Sequence, residues 1–328
     1  KINKLDINIC MPNLNVRSGV VTIFSDKHID QMYHSISARL KKWYHENYQY
    51  NDIKKMITRC ALKNEEIYEG YAAYDNETGI IRKFHRSASM TYIQNNARNV
   101  NYLLDVGSGK ISDINTWKYA NIRHVVGVEP SHASVLKARE RIKKERAYNI
   151  DVVEGYGDED WNNPKYNIVT KNKYDTITFN FTIHYMIKNI DQLMKNISDV
   201  SKQGTKIIVF CLDGKSIYDV LKQSGKLEVV INNDPIWGIY QYNQKANEQT
   251  MPDIFEIMAY FRGTYGVQNG SIEYLVNTDK LIDTFKHNGF RLLESRKFDT
   301  IRNKNSEKMS KIQLTVSKYH MVIIFQKI

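Results

Sequence analysis

The sequence predicts an α/β fold, a mostly parallel, doubly wound sheet closed by an antiparallel hairpin and preceded by an N-terminal extension. Three observations carry this. From Tyr102 onward, apolar runs that read as strands alternate with amphipathic stretches that read as helices, the rhythm of parallel strands joined by right-handed crossovers. The first strand, Leu103-Leu104-Asp105-Val106, ends in the glycine turn Gly107-Ser108-Gly109-Lys110, and the second, Val125-Val126-Gly127-Val128, ends about twenty residues later in the acidic Glu129. A late helix followed by two β-rich runs closes the chain, the pattern of an antiparallel hairpin at the sheet edge.

The chain is expected to divide into an extension over 1–100 and a main domain over 101–328. In the extension, Val20–Phe24 reads as a short strand. Residues 26–44 read as a helix with Asp26 as cap, because Ile29, Met32, Tyr33, Ile36 and Leu40 recur at spacings of three and four. A second helix is expected over 51–62. Residues 69–86 are expected to form a hairpin or linker around the turn Asp75-Asn76-Glu77-Thr78-Gly79. In the main domain, strands are predicted at 102–106, 124–128, 150–154, 174–180 and 206–212, with helices near 112–120, 131–147, 188–202 and 215–224. Residues 226–270, rich in Asn, Gln and Tyr, read as irregular. A helix over 278–288 ends at Asn288-Gly289, a good C-terminal cap, and strands follow at 290–298 and 319–328.

At 328 residues the chain is long enough to bury a full core. No run approaches the ~18 apolar residues of a membrane span, and no basic-then-apolar leader opens it. Cys10, Cys60 and Cys211 are scattered and odd in number, so neither a disulfide framework nor a zinc site is supported; a reducing, cytoplasmic compartment is expected. The first residue, Lys1, points to a piece of a longer polypeptide. The net charge of +11 favours a polyanionic partner such as RNA, against the alternative of a plain lysine and asparagine bias.

The glycine turn supplies the first chemistry. A ligand approaches the main chain closely only where no Cβ intervenes, and a carboxylate at the tip of the second strand can accept from both hydroxyls of a ribose. A dinucleotide fingerprint has a third glycine where this chain has Ser112, so the turn suits S-adenosylmethionine (AdoMet) better. Taken alone, it leaves open a nicotinamide enzyme or a turn without ligand. The second signal is Tyr174-Asp175-Thr176-Ile177-Thr178-Phe179-Asn180-Phe181-Thr182-Ile183-His184-Tyr185, a strand that delivers Asn180 to Tyr185 to the same sheet edge as Gly107 and Glu129.

Four ordered motifs resemble those of the mRNA cap guanine-N7 methyltransferases. Phe181-Thr182-Ile183-His184-Tyr185 is similar to their Q-F-x-h-H-Y block (h apolar). Asp105-Val106-Gly107-Ser108-Gly109-Lys110-Ile111-Ser112-Asp113 is similar to their D-x-G-x-G-K-x-x-D turn. Ser271-Ile272-Glu273-Tyr274-Leu275 and Tyr319 also fall where that family has counterparts. The resemblance covers about 100–328 and is strongest to the methyltransferase domain of the multifunctional capping enzymes of cytoplasmic large DNA viruses, where Leu212-Asp213-Gly214 also recurs.

The resemblance implies a class I, Rossmann-like AdoMet-dependent methyltransferase, with S-adenosylhomocysteine as by-product. It implies a cofactor site of Asp105, Gly107, Ser108, Gly109, Lys110, Asp113 and Glu129, with Asn180 below the methionine moiety and either Tyr156 or Asp158 over the adenine. For the cap it implies a guanine pocket lined by Phe181, His184, Tyr185 and Tyr319, with Glu273 reading the base edge and Lys110 and Arg141 approaching the triphosphate. Asn180 departs from the family's glutamine by one methylene. Three residues also have plainer readings: Arg141 lies in a charged amphipathic helix that solvent alone explains, Glu273 could be a surface strand charge, and Tyr319 could be a core residue.

The implied partner is the capped 5′ end of mRNA, with triphosphatase and guanylyltransferase domains upstream in the same polypeptide and no membrane or metal requirement. Guanine N7 carries no proton, so no general acid or base is assigned, and His184 and Tyr185 are given positioning roles. Two alternatives stay open: a methyltransferase-fold RNA-binding module without turnover, and a methyltransferase acting on another RNA base or a small molecule.

Overall fold

A computed structural model describes residues 76–231, 234–243, 246, 250–261 and 271–328. The strand expected at 20–24 and the helices expected at 26–44 and 51–62 lie outside the described residues. The chain divides into two compact units, one of residues 1–79 with 260–271 and one of residues 80–259 with 272–328. Of the first, only residues 76–79, 260, 261 and 271 are described.

The second unit is built on a seven-stranded sheet. Its strands are β1 (Tyr102–Val106), β2 (His124–Glu129), β3 (Ile150–Glu154), β4 (Tyr174–Asn180), β5 (Ser201–Leu212), β10 (Phe290–Lys297) and β11 (His320–Lys327), in the order β10-β11-β5-β4-β1-β2-β3. The neighbours from β3 to β5 run parallel, while β11 is antiparallel to both β5 and β10. Chain order reverses direction between β1 and β4, the switch point at which such sheets open a crevice beyond their strand ends.

β1, β2, the second half of β5 and most of β11 read as continuous apolar runs because both of their faces are covered, whereas the edge strand β10 alternates. Leu104, Val106, Ile177, Phe179, Ile207 and Val209 are fully buried, each worth about 1.5–3 kcal/mol against exposure. Helix α5 (Ile190–Val200) adds Leu193, Met194, Ile197 and Val200 to the same core. Helices α2 (Ile114–Tyr119), α3 (His132–Lys144), a one-turn α4 (Asn167–Thr170) and α6 (Gly214–Ser224) complete the crossovers.

Three expectations are corrected. Residues 76–86 are not part of a hairpin: they open helix α1 (Asn76–Asn96), whose Ile81, Phe84, Ala88, Tyr92 and Ile93 are buried at spacings of three and four. Burial of that stripe outweighs the ~1 kcal/mol cost of Gly79 in a helix. Residues 226–270 are not irregular throughout. They contain β6 (Lys226–Ile231), β7 (Asp234–Gln241) and β8 (Phe255–Phe261), which with β9 (Ser271–Leu275) form a four-stranded sheet in the order β6-β7-β8-β9. Alternate burial of Leu227 and Val229, and of Phe255 and Ile257, supplies the period that the polar composition obscures. After α7 (Thr278–His287) and β10, a further helix α8 (Lys311–Lys318) opens with a full capping box at Ser310 and Gln313 and has Tyr319 as its C-terminal cap, so Tyr319 ends a helix instead of opening the last strand.

Candidate active site

Parallel register brings Asp105, Val128, Glu129, Thr178 and Asn180 to one edge of the sheet. The two glycines of the first turn serve different ends there. Gly107 has φ +81°, and a Cβ on it would lie 2.4 Å from the Thr182 side chain; Thr182 in turn donates to the Val106 carbonyl at 2.6 Å, drawing the end of β4 onto the turn. Gly109, at φ +53°, has open space where its Cβ would be, and its N–H donates to Glu129 at 2.8 Å.

Glu129 is buried and accepts a second bond from the Ser131 N–H at 2.9 Å, so its carboxylate is held in place by two backbone donors. A carboxylate has about four acceptor positions, which leaves two for a pair of hydroxyls. Burial raises its pKa and the two amide bonds oppose that. Asp105 lies deeper still, accepts from the Thr178 hydroxyl at 2.6 Å and is pushed up to about 7, chiefly by burial and further by Asp113 and Glu129. Asp113 immediately precedes α2 and takes a 2.8 Å bond from the Asn180 amide; burial raises its pKa as well. The amide oxygen of Asn180 and the hydroxyl of Ser108 are buried with no hydrogen-bond partner.

Two orphaned buried polar groups, a glycine main chain facing open space and a diol-sized carboxylate make a pocket suited to a polar, partly cationic nucleoside, and AdoMet fits that description. Lys110 is half-buried in this turn, not on the helix after it, because α2 starts only at Ile114. Beyond β3, the Tyr156 main chain is pinned by its N–H donating to the Tyr166 hydroxyl at 2.9 Å and its carbonyl accepting from the Trp161 indole at 3.0 Å. The Tyr156 ring is left exposed at the same edge, while Asp158 accepts from the Asn189 amide at 3.0 Å.

A second group forms where the turn after β4 meets β9. His184 Nε2 lies 3.5 Å from Glu273 Oε2, and the Tyr185 hydroxyl donates to Glu273 Oε1 at 3.4 Å. His184 and Glu273 are both buried, whereas Tyr185 is 46% exposed and presents a ring face beside the buried pair. Burial lowers the His184 pKa, with Glu273 opposing, so the imidazole is neutral at pH 7.

Tyr319 is buried and stacks on Trp237 at 5.8 Å, and Trp237 continues through His320 to Phe181. Phe181, held at φ +58°, also packs against His85, Phe210 and Phe298, so its ring belongs to this aromatic wall and not to the His184 group. Arg141 is not brought to the site. It falls in the last turn of α3, which starts beyond the tip of β2 and descends toward the start of β3, about 13 Å from its own first turn.

Arg86 is the residue sequence reasoning missed. From α1 it donates to the Ser112 carbonyl at 3.1 Å, and its charge lowers the pKa of Asp113. The buried stripe of α1 was the signal that locates it.

The strand order, the reversal at β1 and β4, and the glycine turn with its acidic partner define a class I AdoMet-dependent methyltransferase. The profile of the mRNA (guanine-N(7))-methyltransferase domain matches residues 72–321, and the chain belongs to that family. Similar proteins include the mRNA-capping enzyme catalytic subunit of fowlpox virus, 23% identical over 226 residues that cover 66% of this chain and 25% of that one. The mRNA cap guanine-N(7) methyltransferase of Cryptococcus neoformans is 24% identical over 207 residues, covering 61% and 32%. The mRNA-capping enzyme of African swine fever virus is 22% identical over 228 residues, covering 60% and 24%. The chain thus spans a quarter to a third of the length of these relatives. Among solved structures, an S-adenosylmethionine-dependent methyltransferase from Clostridium acetobutylicum aligns at 14% identity with a TM-score of 0.48, over 82% of this chain and 99% of that one.

Proposed function

We propose that this chain transfers a methyl group from AdoMet to N7 of the guanine cap of mRNA. The observation that carries the reading is the meeting, beyond the ends of β1 and β4, of the glycine turn whose Gly109 N–H holds Glu129 and the turn whose His184 and Tyr185 meet the buried Glu273 of β9 in the second sheet. In this reading Glu129 holds the ribose hydroxyls, Gly107 lets Thr182 close on the turn while Gly109 admits the cofactor to the main chain, Asp105, Asp113 and Asn180 surround its methionine end, and the exposed Tyr156 ring covers its adenine. When bound, the cofactor supplies an electrophilic methyl on a sulfonium.

On the cap side, Glu273 accepts from the N1–H and N2 amino groups of guanine, a pattern adenine does not offer. The Tyr185 face and the Trp237-backed Tyr319 hold the purine, more tightly once methylation makes it cationic. Neutral His184 packs beside the Glu273 carboxylate, which the Tyr185 hydroxyl orients by donating to it. Lys110 in the turn and Arg86, which donates to the turn from α1, approach the triphosphate. Guanine N7 brings a lone pair and loses no proton, so these side chains align and exclude water, and none serves as acid or base.

The reading extends to domains upstream in the same polypeptide that provide triphosphatase and guanylyltransferase activities, and to a cytoplasmic viral factory, on the strength of the fowlpox and African swine fever virus relatives. Among the described residues no helix is long and apolar enough to cross a membrane. The test is label transfer from methyl-labelled AdoMet to GpppA-capped RNA, followed by nuclease digestion. Label in 7-methylguanosine, abolished by Glu129→Ala, supports the reading; label in another nucleoside or none contradicts it.

A further inference from the structure

The edge of the sheet opposite the active site carries an aromatic and basic ridge that nothing above uses. Helix α2 ends at Tyr119 and α3 at Lys144, and the two loops that follow lead into β2 and β3 side by side. The Asn149 amide fastens them by donating to the carbonyls of Ile122 and Arg123 at 3.3 and 2.9 Å, and Lys118 joins Glu145 at 3.2 Å. Beside this fastening stand Tyr119, the last residue of α2, and Tyr148, in the loop after α3, 73% and 78% exposed. Arg123, Lys143, Lys144 and Arg146 are exposed around them, and Glu145, the acidic residue in the same loops, is already taken by Lys118. Arg146 sits at φ +49°, where folding alone favours glycine or asparagine, and places a guanidinium there instead.

We infer that this ridge binds the single-stranded body of the RNA whose 5′ end enters the active site, the cations following the phosphates and the two tyrosines stacking bases. Two solvent-exposed rings set among cations are the recurring means of holding single strands without reading sequence. Duplex RNA does not offer its base faces and satisfies only the cations. The six residues of β2 separate the ridge from the cap end by on the order of 20 Å, a span that several extended nucleotides bridge. Arg141, in the last turn of α3, lies on the flank of this track. The inference rests on the reading of capped RNA as substrate, and its test does not depend on methyl transfer.

The experiment measures anisotropy of an uncapped, labelled single-stranded RNA of about 16 nucleotides with the 328-residue chain, across about 50–200 mM salt. The variants are Tyr119→Ala/Tyr148→Ala and Lys143→Ala/Lys144→Ala/Arg146→Ala, each with an unchanged thermal melt. Both are expected to weaken binding at least about fivefold, the second alone flattening the salt dependence, with KM for the GpppA dinucleotide unchanged. Wild-type affinity in both variants, or equal affinity of the wild-type chain for duplex RNA of the same length, overturns the inference. If RNA binding behaves as expected while the dinucleotide is not methylated, the ridge stands and the methyltransferase reading falls.

Discussion

His184 Nε2 lies 3.5 Å from Glu273 Oε2 without hydrogen-bond geometry, in a pair that is almost wholly buried. A buried carboxylate binds the donors of a ligand strongly, because water competes little for it there. Removing it by Glu273→Gln should raise KM for GpppA-RNA by about 30-fold or more, since two charge-assisted hydrogen bonds at ~1.5–3 kcal/mol each are at stake. AdoMet affinity, measured by calorimetry on the same variant, should not move.

Asp105 gives the cofactor half its own pH signature. Its carboxyl is pushed up to about 7, so in the empty protein it is largely protonated below that pH. A cationic ligand favours the ionised form, and AdoMet should therefore bind more tightly as pH rises from 6 toward 7.5, with proton release. Asp105→Asn should flatten that dependence in calorimetry run in two buffers of different ionisation enthalpy.

Two buried histidines set the acid limit of the fold. His320 is pushed down to about 4 by burial, and His85, 4.4 Å from it, lies well below its ordinary value through burial and the proximity of His320. Their neutral folded forms contribute stability at neutral pH that is lost as pH falls from about 6.5 toward 4, because the unfolded chain takes up protons that the folded one refuses. Asp105 works in the opposite sense, favouring the folded state as pH falls through 7. Thermal melts should show stability declining below pH 6.5, with a shallower decline in His85→Gln.

Lys188 fixes the turn that bears His184 and Tyr185. Its ammonium lies 4.4 Å from the Tyr274 ring centroid and 3.5 Å from Glu256 Oε1, while His184 and Tyr185 meet Glu273. Neighbouring residues of a strand point to opposite faces, so the turn grips β9 from both sides. Lys188→Met should raise KM for the cap about three- to tenfold with kcat nearly unchanged, and Lys188→Arg should restore it.

Much of this arrangement was legible in the sequence, for identifiable reasons. β1 to β5 announced themselves by the apolar runs that burial of both faces favours, plainest in β1, β2 and the second half of β5, and the glycine turn because a backbone at φ +81° beside Thr182 tolerates little else. Helix α1 was hidden by Asp75–Gly79, which locally resembles a turn, and with it Arg86 was lost. β6 to β8 were hidden by polar outward faces. Arg141 was expected at the triphosphate, but a position along the chain does not say how far α3 descends, and the pitch of that helix carries the residue into its last turn, toward the start of β3.

The account stands on guanine recognition by Glu273. The measurement that tests it most directly is the ratio of kcat/KM for methyl transfer to GpppA-RNA and to the inosine-capped counterpart, which lacks only the N2 amino group, in the wild-type chain and in Glu273→Gln. A preference for guanine of about tenfold or more that falls to near unity in the variant is the predicted result. A preference that survives the substitution, or a wild-type chain that methylates both caps equally, contradicts the account.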